Sequence, residues 1–126
     1  MAKIMIIEDN RVHNTLLCHS MEDQGHEPIP LYDLESAEKE LKKQIPDLFV
    51  IDVQIKNIRN PTFAFIDGLM KSRYYREIPI IIVSAYVSRE EIRKELPNFP
   101  IDNVIEKPFN VETITAKVKE LLKGKK

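Results

Sequence analysis

The chain has 126 residues, which suits one domain around one core. Nineteen basic residues against 20 acidic ones give a formal net charge of -1, so there is no electrostatic footprint for direct nucleic-acid binding. One cysteine, Cys18, excludes an intramolecular disulfide, and no secretory signal or membrane-spanning run is visible, so a soluble cytoplasmic protein is expected.

Ile4-Met5-Ile6-Ile7 is a first apolar run without alternation, the pattern of a strand buried on both faces of a parallel sheet. It is followed at once by Glu8-Asp9-Asn10, with Asn10 suited to cap a helix. Val12, Leu16, Leu17 and Met21 then recur at helical spacing, and Gly25 supplies a stop. Glu27 to Leu31 reads as a weaker strand, which Pro28 and Pro30 confine to a sheet edge. Asp33 caps a helix with Leu34, Ala37 and Leu41 on one face, ending before Pro46.

Asp47-Leu48-Phe49-Val50-Ile51-Asp52 is the third strand, and it delivers Asp52 to the carboxyl edge of the sheet. Gln54 to Arg59 is a polar loop, and Asn60-Pro61 offers a cap and a first helical residue for a helix facing inward through Phe63, Ile66, Leu69 and Met70. Gly68 lies inside that helix and weakens it. Ile78 to Val83 is the fourth strand, ending at Ser84-Ala85. Ser88 to Glu91 has capping-box spacing for a helix bearing Ile92 and Leu96. A fifth strand near Ile101 to Ile105 leads to Lys107-Pro108-Phe109. Asn110 caps a last helix carrying Val111, Ile114, Val118, Leu121 and Leu122.

Five strands each followed by a helix make an α/β, (βα)5 doubly wound, five-stranded parallel sheet, and right-handed crossovers put every strand's carboxyl end on one side. Glu8, Asp9, Asp52, Ser84 and Lys107 therefore converge. Three neighbouring carboxylates repel one another and call for a cation, and hard oxygen donors with room for water suit Mg2+. A lysine and a hydroxyl beside them are the groups that hold phosphoryl oxygens, and a central carboxylate can act as the nucleophile of an acyl phosphate. With only three scattered glycines, Gly-rich phosphate loops and dinucleotide fingerprints are excluded.

Ile6-Ile7-Glu8-Asp9-Asn10, Phe49-Val50-Ile51-Asp52, Val83-Ser84-Ala85 and Lys107-Pro108-Phe109, in this order, resemble the motifs of response regulator receiver domains from about Lys3 to Leu122. The resemblance implies the flavodoxin-like receiver fold over residues 1–122, with a basic tail at 123–126. It implies that Asp52 is the phosphoacceptor, charged by a histidine kinase or a histidine phosphotransfer protein in a two-component phosphorelay. Asp9, Asp52 and the backbone carbonyl of Gln54 would bind Mg2+, with Glu8 assisting through water. Ser84 and Lys107 would contact the phosphoryl group, and the Lys107-Pro108 bond is expected to be cis. The only reactions implied are self-phosphorylation and autodephosphorylation.

The sequence departs from the family at two places. The loop after Asp52 lacks the usual Pro and Asp-Gly and is about two residues longer. The aromatic that often precedes the lysine by three residues is Val104, so a hydroxyl coupled to a rotating aromatic cannot operate there. Tyr86, two residues after Ser84, is large enough to shield an acyl phosphate from water. A stand-alone regulator, a relay intermediate, or a receiver cut from a longer protein is implied, monomeric or weakly dimeric. Its signalling face would include Arg89, Arg93, Lys94 and Lys117, and its downstream target is not encoded in the motifs. Two alternatives stay open: a phosphorylation-independent receiver-like adaptor, and an aspartyl-phosphate phosphohydrolase, against which Gln54 stands where a second aspartate is usual.

Overall fold

The computed structural model describes residues 2–53, 61–85, 87–108 and 110–123. The expectations for Gln54 and the rest of the polar loop, for the Asn60 cap, for Tyr86, for Phe109 and for the tail beyond Lys123 lie outside these residues.

Five strands form one parallel sheet: β1 (Lys3–Ile7), β2 (Glu27–Leu31), β3 (Leu48–Val53), β4 (Ile80–Ser84) and β5 (Val104–Glu106), ordered β2-β1-β3-β4-β5. Five helices connect and follow them: α1 (Arg11–Asp23), α2 (Leu34–Leu41), α3 (Pro61–Lys71), α4 (Arg89–Glu95) and α5 (Val111–Leu122). The doubly wound (βα)5 architecture expected from the alternating runs is therefore observed, with β2 at an edge as its two prolines require.

The unalternating runs have a direct structural meaning. Successive side chains of a strand point to opposite faces, and here both faces are covered. Met5, Phe49, Ile51 and Ile82 belong to a cluster closed by α2, α3 and α4. Ile4, Ile6, Val50 and Ile81 belong to a second cluster closed by α1 and α5. A strand sandwiched this way has no polar positions until it reaches an edge.

Several local signals are realised as read. The Asn10 Oδ1 accepts from the His13 N–H at 3.0 Å and starts α1, and Gly25 turns the chain at φ +85°, where a side chain is disfavoured. Asp33 accepts from the Ser36 N–H at 2.7 Å, and Ser88 and Glu91 form the reciprocal capping box of α4. The Lys107-Pro108 peptide is cis.

Five details differ. In α1, Leu17 and Met21 are buried, but Val12 and Leu16 are 76% and 52% exposed. The helix is rotated so that Asn14 faces inward, where its Nδ2 donates to the Glu8 and Leu31 carbonyls at 3.0 Å each. Satisfied hydrogen bonds let a polar residue hold a position that hydrophobicity alone would assign to leucine. The fourth strand begins at Ile80 and includes Ser84, and β3 runs one residue past Asp52 to Val53. The fifth strand is shorter and later than expected, because Ile101–Asn103 forms a 3-10 turn, leaving β5 only three residues. Asn110 stands at the N-cap of α5 without a side-chain capping bond.

Candidate phosphoacceptor site

Parallel pairing aligns the strand ends and so assembles the site. Ile7 pairs with Leu31 on one side and with Ile51 on the other, which brings the residues after β1 beside Asp52. Asp52 pairs with Val83, and Ser84 pairs with Glu106, so Ser84 and Lys107 reach the same edge. The Lys107 N–H donates to the Ser84 carbonyl at 2.6 Å, which fastens the β5 terminus to β4.

Glu8, Asp9 and Asp52 each offer a carboxylate oxygen, and the three lie within 4.8 Å of one another. Glu8, Asp9 and Asp52 are the residues that would hold Mg2+, whose ligands are oxygens. The donor chemistry fits as well, being hard oxygen throughout. Lys107 Nζ lies 3.3 Å from Glu8 Oε1 and 3.3 Å from Asp52 Oδ2, with the lysine side chain only 14% exposed. Lys107 therefore faces two of the three clustered carboxylates.

The electrostatic strain is visible at Glu8. Burial, followed by its hydrogen bond to Asp52 and the charge of Asp52, pushes its carboxyl above the ordinary carboxylate value. The Asn10 N–H, which donates to Glu8 Oε2 at 3.2 Å, and Lys107 pull the other way without prevailing. His13 Nδ1 stands 3.9 Å from the same Glu8 Oε1 that Lys107 approaches.

Beside the carboxylates is a cleft of about 280 Å3 lined by Asp9, Tyr32, Asp33, Asp52, Pro61 and Thr62. The guanidinium of Arg11 sits 4.2 Å from the ring centroid of Tyr32 at its rim. A second groove, of about 430 Å3, lies on the other side of Glu8 between α1 and α5, with His13, Leu16, Lys107 and Pro108 among its walls.

The structure thus brings Glu8, Asp9, Asp52 and Lys107 into direct contact range. Ser84 reaches the same edge, but its hydroxyl is turned away: it donates to the Val87 carbonyl and accepts from the Val87 N–H at 3.0 Å. Val104 is fully buried. Sequence reading missed Asn14, which ties the Glu8 backbone to β2 from inside α1. It also missed His13 and Tyr32, and named Asp33 only as a helix cap, because their nearness depends on how the loops fold.

A doubly wound parallel sheet that gathers three carboxylates and a lysine at its carboxyl edge defines the receiver class of α/β signalling domains. The chain belongs to the response regulator receiver domain family, whose pattern matches residues 4–119. The phosphate regulon transcriptional regulatory protein PhoB of Escherichia coli is 26% identical over 121 residues, covering 96% of this chain and 52% of that protein. This chain spans about half the length of the curated relatives it matches.

Among solved structures, the signal receiver domain of a signal transduction histidine kinase from Syntrophus aciditrophicus superposes with a TM-score of 0.83 at 25% identity, covering 100% of this chain and 93% of that one. The receiver domain of Francisella response regulator 1452 has the same fold, with a TM-score of 0.81 at 22% identity and complete coverage of both chains. Receiver domains are phosphoacceptors of two-component systems that interact with histidine kinases and downstream targets. Among the described residues no helix is long and apolar enough to cross a membrane.

Proposed function

We propose that Asp52 accepts a phosphoryl group from the phosphohistidine of a histidine kinase or phosphotransfer protein, in a Mg2+-dependent reaction, and that the acyl phosphate changes which partner the protein binds. The observation that carries this reading is the cluster of Glu8, Asp9 and Asp52, with Lys107 Nζ 3.3 Å from both Glu8 and Asp52. Capping alone requires no such convergence.

An oxygen of the Asp52 carboxylate attacks phosphorus, the new P–O bond forms as the P–N bond to the donor imidazole breaks, and the imidazole leaves with a proton from solvent. Glu8, Asp9 and Asp52, together with the Gln54 carbonyl implied by the family resemblance, would hold Mg2+, whose chemistry when bound is to neutralise charge on the phosphoryl oxygens. Lys107 Nζ shifts from the Glu8 and Asp52 carboxylates to a phosphoryl oxygen. The Ser84 hydroxyl exchanges Val87 for another such oxygen, which transmits the event to the loop before α4. Tyr86 is assigned the role of shielding the acyl phosphate, and Val104 that of a buried aliphatic residue replacing a mobile aromatic.

Protein donors have a suitable entrance. Val12 and Leu16 are exposed on α1, and Leu16 lines the groove that leads to Glu8 and Lys107, which supports docking of a partner with an apolar helical surface. Under this reading the protein works in the cytoplasm and has no turnover activity beyond its own phosphorylation and dephosphorylation.

The test is intact mass after incubation with acetyl phosphate and Mg2+. One phosphoryl group gained by the wild type, and none by Asp52→Asn or with metal chelated, is the expected result. No gain where another receiver is labelled would leave a phosphorylation-independent adaptor as the better reading.

A further inference from the structure

Arg11 is the first residue of α1, the end of a helix at which a positive charge is disfavoured, and no acidic side chain in the first turn offsets it. Carboxylates are nevertheless at hand. Asp9 stands two residues earlier, and Asp33 follows Tyr32 as the cap of α2. Asp9, Tyr32 and Asp33 line the same cleft as Asp52.

Among the described residues, Arg11 makes no ion pair with either carboxylate. Its guanidinium lies over the Tyr32 ring instead, 4.2 Å from the centroid. The Asp33 carboxylate is engaged in capping, accepting from the Ser36 N–H at 2.7 Å. Asp9 is exposed and belongs to the trio, within 4.8 Å of one another, that would hold Mg2+.

An exposed arginine–carboxylate pair and an exposed cation–π contact are of similar strength, so the ring decides where the guanidinium rests. Without the ring, the planar fork of N–H donors has the Asp9 carboxylate as a partner matched to its geometry. An arginine seated there competes with a divalent cation for the same oxygens.

We propose that Tyr32 is a positioning residue for the metal site: by holding the Arg11 guanidinium over its ring, it keeps the Asp9 carboxylate open to Mg2+. The proposal rests on the reading of Glu8, Asp9 and Asp52 as metal ligands, and adds to it a residue that is not itself a ligand. Arg11 is a restrained competitor, and Tyr32 sets how tightly the site takes its ion. This role differs in sign from a merely structural one. Loss of the ring weakens metal binding only while Arg11 is present, whereas a general loosening of the cleft weakens it in either background.

The experiment is calorimetric titration of Mg2+ into the full chain, without phosphodonor, at one pH and low ionic strength. Tyr32→Leu, which keeps apolar bulk but has no π face, is expected to weaken Mg2+ binding about two- to fivefold. Tyr32→Phe keeps the ring and should recover wild-type affinity. Arg11→Ala should bind at least as tightly as wild type, since it removes a positive charge near the cation. In the Arg11→Ala background, Tyr32→Leu should lose its effect.

Wild-type affinity in Tyr32→Leu, or an equal loss from Tyr32→Leu with and without Arg11, would overturn the proposal. Failure of the wild type to bind Mg2+ is a separate outcome, seen before any variant is made, and would overturn the metal reading along with it.

Discussion

Along β3 the chemistry reverses within a single residue step. Phe49, Val50 and Ile51 are no more than 1% exposed and pack among other hydrocarbon side chains, whereas Asp52 meets two more carboxylates and a lysine. The body of the sheet is stabilised by burial that needs no ion. Its carboxyl edge collects charges that burial opposes, and one lysine does not neutralise them. The contrast teaches that in this chain stability and chemistry occupy different ends of the same strands. Under the proposed function the edge is stabilised from outside, by Mg2+.

The largest effect should come from breaking the body. Ile82 is fully buried in the central strands, and Ile82→Ala is expected to cost about 3–4 kcal/mol in urea unfolding. That loss should be the same with and without Mg2+, because the residue belongs to the ion-independent region.

Breaking the edge should behave in the opposite way. Lys107→Ala leaves two buried carboxylates without their cation and is expected to cost about 3 kcal/mol in metal-free buffer. Saturating Mg2+ should recover much of it, and equal losses in the two buffers would contradict the contrast.

Asn14 lies at the junction, joining the Glu8 and Leu31 carbonyls. Asn14→Ala removes the side-chain donor of the buried Glu8 carbonyl, while the Leu31 carbonyl keeps the Glu8 N–H, and should cost about 2 kcal/mol by thermal or urea unfolding. A smaller change of opposite sign is expected at Gly68, inside α3, where an added Cβ would meet nothing within 4 Å. Gly68→Ala should raise stability by about 1 kcal/mol without altering metal response.

The pH dependence sharpens the same comparison. The folded state raises the Glu8 carboxyl above its ordinary value of 4.5, so the native protein holds that proton more tightly than the unfolded chain does. The resulting stabilisation is present below 4.5 and is lost as pH rises through the folded value. In metal-free buffer, Glu8→Gln should therefore unfold at a higher temperature than wild type near neutral pH, with the advantage shrinking toward acid.

The body was legible because its signals are redundant. β1, β3 and β4 are continuous apolar runs, and Pro28, Pro30, Gly25 and the Ser88–Glu91 box punctuate them through backbone geometry that few other arrangements satisfy. The acidic cluster was legible as a consequence, since parallel register turns strand ends into neighbours.

The remainder depends on tertiary partners that no local window contains. Val12 and Leu16 fit an inward face until Asn14 finds two carbonyls and rotates α1. Ile101 looks like strand, but a 3-10 turn precedes the short β5 that Arg89 holds. The Ser84 hydroxyl could be assigned to the edge from sequence. Its engagement with Val87 could not, because that bond depends on the fold of the following loop.

The most direct test of the account locates the acyl phosphate itself. The protein is treated with acetyl phosphate and Mg2+, reduced with borohydride to convert an aspartyl phosphate to homoserine, and mapped by peptide mass. The account predicts homoserine at position 52, dependent on both Mg2+ and phosphodonor, with Glu8 and Asp9 unmodified. Homoserine at another aspartate, or an unmodified peptide from a protein that has gained a phosphoryl group, would contradict it.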